Sequence, residues 1–472
     1  MPRRPAVRWH GTGQYRPGQL AVVWLTGSCK LLRLRLWHRL RLRLWRQLRL
    51  RLRLLRLRLR VRLQVGTGSG TDGTDRPDRR RSSARGMETQ QQLLLLLLLL
   101  LLQRPGCLTD QLSDCDVVKY GAKCDSMTDD TAALQAAIDA CAPQRRRVVI
   151  GGGLCLTQPL TLRTHSQLVV TKGATLKAGQ KWVGTPFLYA ANATDIAIVG
   201  NGTIDGSGAQ WWLPHGQPGR PHLIRFDDVS HVLLENVTLL NAANHFTNLH
   251  GAHYRIYGVT MRSPPSHIAP NTDGINTKCS DVHVRGCDIS NGDDSVVMKA
   301  PSRDVLVEDT VVRQGNGFVV GTADDTFEHV FRNITFRRSL AENTMFGCHV
   351  KFKGSQSGLV DGVRFEDIVV RDPTHYAIGI NTNGQSSTGL GAGLGSNVSI
   401  ANVSFVRVSG SAPAAGRFTC NAENACRGIR LEHVHLDVPP GNDTTTTGCT
   451  FANAVGQGLD VSPASCVPPS GL

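Results

Sequence analysis

Three aspartates stand in two short phrases of this chain. Asp273 lies in Asn271-Thr272-Asp273-Gly274, and Asp293 and Asp294 lie in Gly292-Asp293-Asp294-Ser295, 20 and 21 residues later. Acids held close together repel one another, so at least one member of a converging set has its pKa raised. An acid that keeps its proton beside ionised partners is equipped for glycoside cleavage, in which one group protonates the leaving oxygen while another activates water. Two other duties fit the same residues. Asp-Gly and Gly-Asp pairs mark turns, and clustered carboxylate oxygens hold calcium. Spacing alone does not choose among the three.

A repeat in the surrounding chain would bring the two phrases together. From about Gly200 onward one pattern recurs: two alternating apolar residues, a turn residue, then two more alternating apolar residues. Val282 to Ile289 and Val398 to Phe405 are examples. The turn positions fall at Asn236, Gly258, Gly286, Asp309, Asn333, Asp367, Asn402 and His433, at intervals of 22, 28, 23, 24, 34, 35 and 31 residues. Paired short strands repeating every twenty-odd residues describe a solenoid of stacked coils. A β-sandwich also brings strands at short intervals, but it joins them with hairpin turns, and Asn-Gly or Asp-Gly pairs are scarce at the places required. The expected fold is therefore all-β, a right-handed parallel β-helix, with helical patterning only at Thr131 to Ala142, where a short helix would cap the open end of the stack. In such a stack residues one coil apart lie about 4.8 Å apart, which places Asp273 beside Asp293 and Asp294.

The phrases Asn271–Gly274 and Gly292–Asp294 resemble the signature motifs of the polygalacturonase family, glycoside hydrolase family 28. The resemblance runs from about Val117 to Cys466. It takes in Tyr120-Gly121-Ala122 with Thr128-Asp129-Asp130-Thr131, then Gly202-Thr203-Ile204-Asp205-Gly206-Ser207-Gly208 with Trp211-Trp212, and the cysteine-rich C-terminus. It implies an inverting hydrolase of galacturonan or a related pectic chain, needing no metal or organic cofactor. Carried over by motif, Asp293 would be the general acid, with Asp273 and Asp294 activating water. Asn271 and Lys351 would help bind the sugar acid, the lysine by offsetting its carboxylate. Two alternatives stay open on this fold: a calcium-dependent pectate lyase and a non-catalytic protein that binds wall polysaccharide.

This chain departs from the family pattern on the sugar-binding side. Gly315-Asn316-Gly317 stands where the family has Gly-His-Gly, and His349-Val350-Lys351 where it has Arg-Ile-Lys. The family tyrosine is not evident in Tyr376 to Asn383. Asn316 and His349 are thus expected at the substrate, with Asn316 unable to change charge. His349 would be cationic only at acidic pH, so binding should tighten as the pH falls through the histidine range.

Charge is distributed unevenly. Residues 1–86 hold 23 Lys and Arg against three Asp, whereas the remaining chain is slightly acidic, so the overall net charge of +16 belongs to the N-terminal stretch. That excludes a nucleic-acid partner for the body of the chain. The alternating Leu and Arg from Leu31 to Val65 read either as the product of a misplaced start codon or as a basic arm, followed by a Gly, Asp, Arg and Ser-rich linker. Residues 87–106 open at Met87 and carry ten leucines, Leu93 to Leu102. Ten apolar residues are too few to span a bilayer, which takes about 20; they match a signal-peptide core. The catalytic domain would then be 107–472, with no stable membrane insertion and acting as a monomer. Twelve of the 13 cysteines and seven Asn-x-Ser/Thr acceptors, at Asn192, Asn201, Asn236, Asn333, Asn397, Asn402 and Asn442, lie in this region. Together they point to an oxidising setting outside the cell or in the wall. Cys279/Cys287 and Cys420/Cys426 are candidate pairs.

Overall fold

Among the described residues strand follows strand without a hairpin. In a computed structural model, the described residues are 114–471 apart from 180–181, 183, 213–218, 322–328, 353, 355, 384–395 and 440–447. The basic stretch 1–86, the leucine run within 87–106 and Cys107 lie outside them. Among the described residues 29 strands form one continuous ladder system, and their pairings are parallel. Each strand pairs with the one a coil later: Ile275 with Val296, Val296 with Phe318, and Phe318 with Cys348. This is the right-handed parallel β-helix expected from the repeat, in a compact unit, Cys107–Leu472.

The turns show why the intervals looked irregular. All eight turn positions read from the sequence have left-handed backbones, with φ between 52° and 65°. They belong, however, to two separate rows. One row stacks Asn236, Gly258, Gly286, Asp309, Arg338, Asp367, Arg407 and His433. The other stacks His253, Asp281, Asp304, Asn333, Gly362, Asn402 and Gly428. Asn333 and Asn402, which the spacing alone assigns to the first row, sit in the second. The true occupants there are Arg338 and Arg407, residue types that do not announce a left-handed turn. Each arginine is tied to the neighbouring coil. Arg338 donates to Asp309 at 2.9 Å and Glu308 at 2.6 Å, and Arg407 donates to Asp367 at 2.6 Å and to Glu366.

Inward side chains stack in register, as a parallel ladder dictates. Phe336, Phe365 and Phe405 lie face to face with centroids 5.0 and 5.2 Å apart. At the N-terminal end, helix Thr131–Cys141 buries Leu134, Ala137, Ile138 and Cys141, spaced so that they share one helical face, over the first coils. The neighbouring Asp130 accepts from the backbone of Lys123 at 2.7 Å and Cys124 at 2.9 Å, so that acid serves the cap. Disulfides Cys115–Cys141 and Cys124–Cys155 fasten this end, and Cys420–Cys426 and Cys449–Cys466 the other. The proposed Cys279/Cys287 bond is not present. Both thiols are buried and free, and they face different backbone carbonyls, those of Leu249 and Ile256. No helix among the described residues is long and apolar enough to cross a membrane.

Candidate active site

Asp273 and the Asp293–Asp294 pair occupy the loops that lead into strands Ile275–Arg285 and Val296–Met298. The 21-residue offset between Ile275 and Val296 puts those loops side by side, and the Gly274 amide donates to the Asp294 carbonyl at 2.9 Å. A buried side chain that no motif singled out locks them together: Asn291 Nδ2 donates to the carbonyls of Thr272 (2.8 Å), Asp293 (2.9 Å) and Asp294 (3.1 Å). Gly315 must lack a side chain, because a Cβ there would lie 2.4 Å from the Asn291 Oδ1 and from the Asp293 carbonyl.

The three carboxylates have unlike surroundings. Asp294 is 2% exposed. Burial alone would push its proton affinity up, but Lys351 at 2.6 Å and Lys299 at 3.6 Å outweigh it, joined by Asn316 at 3.0 Å, and hold it well below the usual carboxylate range. Asp293 is pushed up to about 7 by burial and then by the charges of Asp273 and Asp294. Asp273 is pushed up to about 6 by burial and by Asp294, although Asn276 donates to it at 2.9 Å. His245 stands 3.7 Å from Asp273 and is kept neutral by burial, its pKa lowered to about 3. The site therefore contains one firmly ionised carboxylate beside two that tend to keep a proton.

Of the expected substrate contacts, Asn271, Asn316 and Lys351 converge on this cluster. Asn271 Nδ2 donates to Asp293 Oδ2 at 3.2 Å, and Asn316 Nδ2 to Asp293 Oδ1 at 2.9 Å. Arg220, which the sequence did not mark, donates to Asn271 Oδ1 at 2.7 Å. His349 is a correction. It is fully buried, 4.3 Å from the Phe346 ring and bonded through Nε2 to the Tyr376 hydroxyl at 3.1 Å. Burial lowers its pKa to about 3, so it is neither at the cleft surface nor a cation at mildly acidic pH. As for metals, the three aspartates do not gather one oxygen each around a common point. Among the described residues the one group close enough to share an ion is Cys124, Asp130 and Cys155, whose sulfurs are spent in a disulfide.

Fold and site together define a glycoside hydrolase built on a parallel β-helix. The chain belongs to glycosyl hydrolases family 28, whose pattern matches residues 143–466. It is similar to a probable polygalacturonase of Arabidopsis thaliana, 26% identical over 375 residues, which cover 74% of this chain and 83% of the relative. It is also similar to rhamnogalacturonase A of Aspergillus niger, 25% identical over 361 residues, covering 74% of this chain and 77% of the relative. An exopolygalacturonase structure from Thermotoga maritima shares the fold with a TM-score of 0.63 at 19% identity, covering 74% of this chain and 91% of that one.

Proposed function

We propose that this protein is secreted and hydrolyses α-1,4-galacturonosyl bonds of a pectic polysaccharide with inversion. Asp293 gives its proton to the leaving glycosidic oxygen, and Asp294, with Asp273 beside it, takes a proton from the attacking water. The observation that carries this reading is the unequal treatment of two adjacent aspartates, one pushed up to about 7 and the other held ionised by two lysines. General acid catalysis needs a group still protonated at working pH beside a base that is not. Asn271 and Lys351 meet the sugar acid, Lys351 through hydrogens not engaged by Asp294. Secretion is supported by four disulfides and by the exposure of six of the seven Asn-x-Ser/Thr asparagines, Asn442 lying outside the described residues.

One observation favours a second reading of the substrate. Phe346, Tyr376 and the buried, neutral His349 pack together one coil beyond Asn316, at the place where the family pattern has an arginine. With no cation at that place to meet a carboxylate, an uncharged sugar would be accommodated there, so the chain cut would be one in which galacturonate alternates with a neutral residue. The test is release of reducing ends from homogalacturonan, rhamnogalacturonan and methylated pectin, with the anomeric form of the first product followed by NMR. An axial-to-equatorial change with no ultraviolet-absorbing product supports the hydrolase. An unsaturated product lost on chelation would establish a lyase, and binding without any new reducing ends would establish a wall-binding protein.

A further inference from the structure

Arg220 lies just before strand Ile224–Glu235, remote in sequence from every acid of the site. Its Nη1 donates to the carbonyls of Ala243, at 3.1 Å, and Pro270, and its Nη2 to Asn271 Oδ1 at 2.7 Å. A guanidinium has donors only, so the Asn271 atom facing it is the oxygen and the Nδ2 turns to Asp293 Oδ2, 3.2 Å away. We propose that Arg220 is a positioning residue of the hydrolysis: by fixing which face Asn271 shows to Asp293, it denies the acid a competing acceptor for its proton. This rests on Asp293 being the general acid.

The chemistry follows from the two orientations of one amide. Were Asn271 turned over, its carbonyl would meet the protonated carboxyl and take the hydrogen bond that the leaving oxygen needs. In the orientation Arg220 enforces, the proton has the substrate oxygen as its acceptor. Once it has moved, the new carboxylate is met by Asn271 Nδ2, by Asn316 Nδ2 at 2.9 Å and by the Asp294 amide at 2.8 Å. The charged groups facing Asp293 are Asp273, Asp294, Lys351 and Arg220, with Lys299 3.6 Å from Asp294 and His245 3.7 Å from Asp273 behind them.

The experiment is a double-variant cycle on kcat combined with a titration. Arg220→Ala should lower kcat about ten- to a hundredfold, the worth of a charge-assisted hydrogen bond. In an Asn271→Ala background the same change should cost almost nothing further, because Arg220 acts through that amide. An equal loss in both backgrounds would mean that Arg220 merely braces the Ala243 and Pro270 carbonyls, and would overturn the proposal. Carbon-13 carboxyl NMR, with the Asp293 signal identified by its loss in Asp293→Asn, should show its titration rising by about half a unit or more in Arg220→Ala. Arg220→Lys, which keeps a donor-only cation for Asn271 Oδ1, should restore the titration and most of the rate. An unshifted Asp293 signal in Arg220→Ala would sink the role of Arg220 without reference to turnover. Absence of hydrolysis by the unaltered protein would remove the acid assignment instead.

Discussion

Replacing Lys351 with methionine should separate what the lysine does for stability from what it does for the reaction. Lys351 Nζ lies 2.6 Å from Asp294 Oδ1, and the two side chains are only 15% and 3% exposed. Methionine fills nearly the same space without charge. Asp294 is then left buried, facing Lys299 at 3.6 Å and the Asn316 amide. Breaking a buried pair from one side costs about 3–5 kcal/mol, because the surviving charge stays out of water. For a domain of this size that is a fall in melting temperature of roughly 4–7 °C.

A second change identifies the cause. Asp294→Asn added to Lys351→Met removes the orphaned charge while keeping an acceptor for Lys299, so most of the lost stability should return. Activity should not return, since the ionised carboxylate is gone. The pH dependence has a definite sign. The folded pKa of Asp294 lies below its unfolded value near 3.8, so its contribution is present above that value and is lost as the pH falls through the folded one. Lys351→Met raises the folded pKa, and the gap in melting temperature between wild type and variant should therefore be wider at pH 7 than at pH 4. Scanning calorimetry at both values, with the double variant alongside, decides the matter. Equal melting of wild type and Lys351→Met at pH 7, or no recovery on adding Asp294→Asn, would refute the reasoning.

Asp293→Asn keeps the shape of the acid but carries no transferable proton, so kcat should fall by about 10²–10⁴-fold while calorimetric binding of substrate persists. Because Asp293 and Asp273 have raised folded pKa values of about 7 and about 6, wild-type stability should decline as the pH rises from about 4 to about 7, and Asp293→Asn should flatten that slope. His349→Arg should lower the melting temperature and leave KM for polygalacturonate no tighter, since it forces a charge into the space between Phe346 and Tyr376; a tightened KM would return His349 to the cleft. Removing residues 1–86 should leave both melting and turnover unchanged, and loss of soluble protein on that deletion would show the basic stretch to be structural.

The coil architecture was legible because a parallel ladder repeats its demands. Every coil needs inward apolar residues and tight left-handed turns, and Asn, Asp and Gly satisfy the latter with little strain. The sequence does not separate the two turn rows because both use the same phrase, and the residues that distinguish them, Arg338 and Arg407, are stabilised at their turns by acids on the preceding coil. That compensation is invisible in a linear sequence. The Cys279/Cys287 pairing failed for a related reason: eight residues of separation in a solenoid place two side chains on either side of a bend, facing different carbonyls, and not beside each other.

The three acids could be found from their spacing, but adjacent identical residues do not say which is the acid and which the base. That distinction is written on other coils. Lys299 follows Val296–Met298 on the same coil as Asp294, and Lys351 ends strand Phe346–Lys351 two coils further on; both turn to Asp294. Asp294 consequently keeps its charge in a buried place, and its negative field combines with burial to make Asp293 and Asp273 hold their protons. The same ladder geometry explains the error at His349. Its register beside Val319 puts it on the cleft-facing side of its strand, as the family pattern implied, yet Phe346 and Tyr376 close over it. Register fixes the direction of a side chain, and only the neighbours one coil away decide whether that direction ends in substrate or in an aromatic ring.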